Sequence, residues 1–187
     1  GVAYMLGSGG ETTNALYSTT DFSTFTTITP TGTWWGGAST ACRTNHAVLA
    51  WGGKLWVVGG IVNTVYKQDV WYSSDGGVNW TQATASGGFG AHGPPCLFGT
   101  EGYMYVVGVR TGAASNDSGY YSSTDGVTWT LVDASMFSTS GLVSTYIQWT
   151  LHKGMPVITM LDGSNVQYTI YSESMSASNI SAGTIEA

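Results

Sequence analysis

Short apolar runs alternate with Gly-, Ser- and Thr-rich breaks along the whole chain. His46-Ala-Val-Leu-Ala-Trp51 is one such run, and Gly52-Gly53 behind it is a hairpin turn signal. Lys54 to Val58 follows as a second strand, closed by Gly59-Gly60. Asp69 to Ser73 reads as a third strand, Asp75-Gly76-Gly77 as a turn, and Asn79 to Ala83 as a fourth. No run holds the 3.6-residue period long enough to form a helix. The pattern predicts consecutive antiparallel strands joined by tight turns.

The same pattern recurs. Tyr72-Ser-Ser-Asp75-Gly-Gly-Val-Asn-Trp80-Thr81 matches Tyr121-Ser-Ser-Thr-Asp125-Gly-Val-Thr-Trp129-Thr130, and more loosely Tyr17-Ser-Thr-Thr-Asp21-Phe-Ser-Thr-Phe25-Thr26. Tyr171-Ser172-Glu173-Ser174 is a decayed fourth copy. A second marker precedes each copy: Tyr4-Met-Leu-Gly7, Lys54-Leu-Trp56-Val-Val-Gly59, Tyr103-Met-Tyr105-Val-Val-Gly108 and Gly154-Met-Pro156-Val-Ile-Thr. Two markers in constant order, about 50 residues apart, define a repeat. Its copies span approximately 1–32, 33–86, 87–135 and 136–187 of a single domain.

Four antiparallel strands per unit, Gly turns and periodic aromatics predict an all-β fold, a β-propeller of about four four-stranded blades. The alternative is a β-sandwich, but a sandwich does not require one motif on every fourth strand. The first copy begins at its second strand, near Tyr4, so the count falls slightly short of four full blades. Closure is expected from the C-terminal segment pairing beside the first strands, or from another chain. The chain opens on Gly1, which implies a processed start or a piece of something longer.

Ser73-x-Asp75-x-Gly77-x-Asn79-Trp80 resembles the Asp-box, the turn motif of sialidase-type and related propellers. Ser123-x-Asp125-Gly126-Val-Thr128-Trp129 resembles it with one residue deleted, and Tyr17 to Thr26 carries Phe25 in the Trp slot. Arg43-x-x-His46 followed by Leu55-Trp-Val-Val-Gly-Gly60 resembles a kelch repeat. Physically, Asp accepts backbone N–H bonds in a tight turn, Gly supplies positive φ, and Trp buries a large area between sheets. Asp21, Asp75 and Asp125, with Gly77 and Gly126, are therefore expected as turn formers, and Trp80, Trp129 and Phe25 as packing residues.

Composition narrows the partners. Charged residues make up 9% of the chain, against about 25% in average proteins. Net charge is −6 with only five Lys plus Arg. A nucleic-acid groove needs clustered cations, so nucleic acid is not expected as a partner. No apolar run is long enough to span a bilayer, so no membrane insertion is expected. Cys42 and Cys96 are too few for a disulfide framework, and whether they pair is open. No zinc-type spacing is present, so no metal and no cofactor are expected.

The connections that differ most between copies fall on one face, where binding on a rigid scaffold usually sits. That face carries Trp34 and Trp35, whose rings suit a sugar or a protein interface, together with His92, Arg110, Asn116 and Asp117. Arg43 and His46 open an innermost strand, either as a satisfied polar pair or as ligand contacts. Sialidases resemble one another in clamping a carboxylate with three arginines; this chain has Arg43 and Arg110 alone. No carboxylate pair is singled out for glycoside hydrolysis, and no Gly-x-Ser-x-Gly elbow is present. The composition resembles tail-fibre and appendage propellers of bacterial viruses. That resemblance implies a non-catalytic virion appendage protein, a receptor-binding or decoration element held in a homo-oligomer or among other virion proteins, contacting surface glycan. A secreted bacterial lectin-like or adhesive propeller is the alternative, and a divergent glycoside-active enzyme a third reading. Localisation is then virion or extracellular.

Overall fold

The computed structural model describes residues 1–6, 16–32, 43–91, 96–110, 116–133, 147–152, 155–161 and 167–171. Within them every regular element is a strand and every paired strand is antiparallel. The first sheet holds β1 (Ala3–Leu6), β2 (Leu16–Thr19) and β3 (Thr26–Ile28). The second holds β4 (Ala47–Trp51), β5 (Lys54–Val58), β8 (Val70–Ser73) and β9 (Thr81–Thr84). A short ribbon, β6 (Ile61–Val62) and β7 (Val65–Tyr66), interrupts it. The third holds β10 (Cys96–Thr100), β11 (Tyr103–Arg110), β12 (Asn116–Ser123) and β13 (Thr130–Asp133), and the fourth β14 (Ile147–His152), β15 (Met155–Leu161) and β16 (Gln167–Tyr171). Each sheet is a meander in chain order.

The strands expected between His46 and Ala83 are present, and β1 pairs β2 as β5 pairs β8. The register repeats as well. Leu6 faces Leu16, Val58 faces Val70, and Val107 faces Tyr120. The expected fourth strand of the last copy lies outside the described residues. Two connections differ from expectation. The ribbon β6–β7 fills the segment between Gly59 and Gln68, turning through Asn63 and Thr64 at φ 50° and 64°. Paired positive φ is what a two-residue hairpin matching strand twist demands, although Thr is an uncommon residue there. The strands β11 and β12 also run on to Arg110 and Asn116, so Asn116 and Asp117 belong to a strand.

The sheets stack through apolar faces in sequence order. Leu16 of the first sheet packs with Leu55, Val57 and Trp80 of the second, joined by Tyr4, Leu6, Ile28 and Trp71. On the opposite face of the second sheet, Trp56, Val58 and Val70 pack with Leu97, Met104 and Val106 of the third. Strand alternation makes this possible, since successive residues of β5 point to opposite faces. Val57 and Val58 are both fully buried, each burial contributing about 1.5–3 kcal/mol. The second sheet is thus covered on both sides, whereas a two-layer sandwich covers each sheet on one side. The far face of the third sheet is also buried, through Phe98, Tyr105, Val107 and Tyr120. There Tyr105 stacks on Phe98 and Tyr120 with centroids 5.1 and 5.4 Å apart. The first strands line up beside one another, β10 next to both β4 and β14.

Candidate functional site

The three Asp turns share one hydrogen-bond scheme. In the second sheet Ser73 Oγ donates to Asp75 Oδ1 at 2.8 Å and accepts the Gly77 N–H at 2.8 Å. Asp75 Oδ1 accepts the Asn79 N–H at 2.9 Å. In the third, Ser123 Oγ donates to Asp125 Oδ1 and accepts the Gly126 N–H, and Asp125 accepts N–H groups of Val127 and Thr128. In the first, Thr19 replaces serine, and Asp21 accepts from Ser23 and Thr24. Trp80 and Trp129 then donate their indole N–H to Gly77 and Gly126 carbonyls. The carboxylates are acceptors locked by backbone donors, which favours their ionised form. Backbone N–H groups of Thr24 and Ser23 hold Asp21 well below the ordinary carboxylate range. Those of Thr128 and Val127 act likewise on Asp125, and Asn79 draws Asp75 down to about 2.

A group held ionised in this way stabilises the fold above its unfolded pKa of 3.8, and the contribution is lost as pH falls through the folded value. The Asp75 contribution is therefore expected to decline below pH 3.8 and to be lost as pH falls through about 2. Asp125→Ala is expected to lower the melting temperature more than Asp125→Asn, whose Oδ1 still accepts; paired thermal melts at pH 7 check this.

Phe25 departs from the packing role expected of it. Trp80 is 8% exposed, but Phe25, in the same slot, is 47% exposed. Trp80 is covered by the first sheet; among the described residues, no apolar cluster covers the matching side of the first sheet. Trp129 meets Phe89 edge-on at 5.3 Å. Phe89 sits in the connection from Ala85 to Gly93, expected to vary freely, and is fully buried. Part of that connection is therefore core.

Arg43 and His46 adjoin the ribbon. The Arg43 guanidinium is 3% exposed and forms two bonds with Asp69, at 2.7 and 2.8 Å, and a third to the Gly59 carbonyl at 2.6 Å. Asp69 also accepts the Trp71 indole N–H at 2.7 Å. Burial pushes the Asp69 carboxyl up, but the Arg43 hydrogen bonds and charge outweigh it and hold it low. The His46 ring is held down to about 4 by burial and by the Arg43 charge. Three of the guanidinium's donor directions are thus committed to Asp69 and the Gly59 carbonyl.

Trp34, Trp35, His92 and Cys42 lie outside the described residues. The backbone of Arg110 pairs with Asn116 at the end of β11. Cys96 is a free, buried thiol, and burial pushes it up to about 12. A thiol reagent at pH 8 is expected to leave Cys96 unmodified in the folded protein and to label it on unfolding, since the thiolate is the reactive form. Among the described residues, no group of three or more His, Cys, Asp or Glu is placed to hold a metal ion, and no helix is long and apolar enough to cross a membrane. A cleft of about 310 Å³ opens at the Gly52-Gly53 turn, lined by Tyr4, Trp51, Lys54, Ser73 and Gly76 among others. The Lys54 ammonium sits over the Tyr72 ring, 4.2 Å from its centroid.

No protein-family model matches the chain, and no curated protein matches it.

Proposed function

We propose that this chain is a non-catalytic recognition or decoration module built on an Asp-box, kelch-like propeller of about four blades, working on a virion or cell surface. The observation that carries the reading is the fate of four of the eleven acidic side chains. Asp21, Asp75 and Asp125 are spent on backbone N–H groups in three matching turns, and Asp69 is spent on Arg43. Carboxylates so committed serve the scaffold, whereas glycoside cleavage needs a pair poised across a substrate. A second sheet buried on both faces, with first strands side by side, supports blades arranged about an axis.

Recognition then falls to the connections, with Trp34 and Trp35 as candidate aromatic platforms for a pyranose and His92 and Arg110 as candidate polar contacts of the same series of connections. A glycan array with the wild-type chain and the Trp34→Ala and Trp35→Ala variants tests it. Binding to a defined glycan class that at least one substitution weakens about tenfold or more is expected, in line with the loss of an aromatic anchor. Binding that survives both substitutions removes these residues from the site, and hydrolysis of a bound glycan overturns the non-catalytic assignment.

A further inference from the structure

The repeating register exposes one face that its own logic expects to be covered. Val57 pairs with Trp71 in the second sheet, Val106 with Tyr121 in the third, and Met5 with Tyr17 in the first. The first two pairs lie on the side that receives the preceding sheet. Val57 and Val106 are fully buried there, while Met5 is 52% exposed and Phe25, in the slot of Trp80, 47% exposed. Met5 and Phe25 are apolar in positions where the other copies carry covered apolar residues.

Phe22 adds a second, independent observation. It sits at φ 59° in the turn slot that Gly77 and Gly126 occupy at 95° and 74°, a conformation disfavoured for a residue with a Cβ. It is also 76% exposed.

We infer that the outer face of the first sheet, carrying Met5, Phe22 and Phe25, is an interface for a second copy of this chain, seated sheet on sheet. Among the described residues, the two matching faces, those of the second and third sheets, are each covered by the preceding sheet of this same chain. Charge favours a like partner too. Asp21 is the one charged side chain of residues 1–6 and 16–32, and its carboxylate is occupied by Thr19, Ser23 and Thr24. Two copies of a chain with net charge −6 therefore meet here without opposing free charges. The inference rests on the sheet stack and not on glycan recognition, so a blank glycan array leaves it standing.

Sedimentation equilibrium of the full chain over a concentration series tests it. The wild-type mass is expected to reach two chains. Met5→Asp and Phe25→Asp are each expected to raise the dimer dissociation constant at least about tenfold. Val127→Asp, at an exposed site in the third sheet's turn, is expected to leave it unchanged. Far-UV circular dichroism of each variant separates lost assembly from lost fold, and Phe25→Ser at its half-exposed site takes the place of any aspartate variant that fails to fold. A wild-type chain that stays monomeric throughout overturns the inference. So does a dimer indifferent to both positions, and so does a monomer whose Met5 resists peroxide oxidation, which assigns the cover to the chain itself.

Discussion

Gly126→Ala is expected to destabilise the protein by about 2–5 kcal/mol, backbone strain and overpacking adding together. Gly126 has φ +74°, and a Cβ there would fall inside the Trp56 ring and 2.9 Å from Met104 Cε. Trp56 is 2% exposed and Met104 fully buried, so neither has room to retreat. Gly77 repeats the arrangement one sheet earlier, with φ +95° and a Cβ that would collide with Leu16. Gly102→Ala is the control: its φ is +88°, with nothing within 4 Å, so strain alone applies, at about 1–2 kcal/mol. Urea unfolding of the two variants measures the difference. Equal losses would mean that the turn glycine does not carry the contact between sheets.

Arg43→Met is expected to cost about 3–5 kcal/mol, because it strands the Asp69 carboxylate in a partly buried site. The double variant Arg43→Met with Asp69→Leu is expected to recover much of that loss, since replacing both partners leaves no uncompensated charge. The pair also sets a pH dependence. Asp69 has a folded pKa below its unfolded value of 3.8, so its contribution is present above that value and lost as pH falls through the lower folded one. His46 acts earlier. Its folded value is about 4 against 6.5 unfolded, so between those values the unfolded chain takes a proton that the folded chain refuses. Stability falls as pH drops through this window, by at most about 1.4 kcal/mol per pH unit. Arg43→Met removes one cause of the His46 depression, so the variant's stability is expected to depend less on pH between 6.5 and 4. Unfolding titrations at pH 7, 5.5 and 4.5 check both effects.

Much of this architecture was legible in the sequence because it repeats. Tyr72, Asp75 and Trp80 find counterparts at Tyr121, Asp125 and Trp129, and the matching hydrogen bonds follow. What did not repeat stayed hidden. The Arg43–Asp69 pair has no copy in the third sheet, where Gly119 stands in the register of Asp69, so comparing repeats could not reveal it. The ribbon was masked by Asn63-Thr64, a turn dipeptide without glycine. Phe89 reads as a loop residue among glycines, yet its ring fills the space against Trp129 and Tyr121. Phe25 shows the converse failure. Its position in the motif is that of a packing residue, but burial depends on the neighbouring sheet, which no local pattern encodes.

Everything above depends on the sheets being one unit stacked in sequence order. Nuclear Overhauser contacts between side chains and turn glycines test that order most directly. The account predicts contacts from the Leu16 methyls to Gly77 and from the Trp56 ring to Gly126 and Met104. Contacts from Leu16 to Met104 or Val106, joining the first sheet to the third, would contradict it.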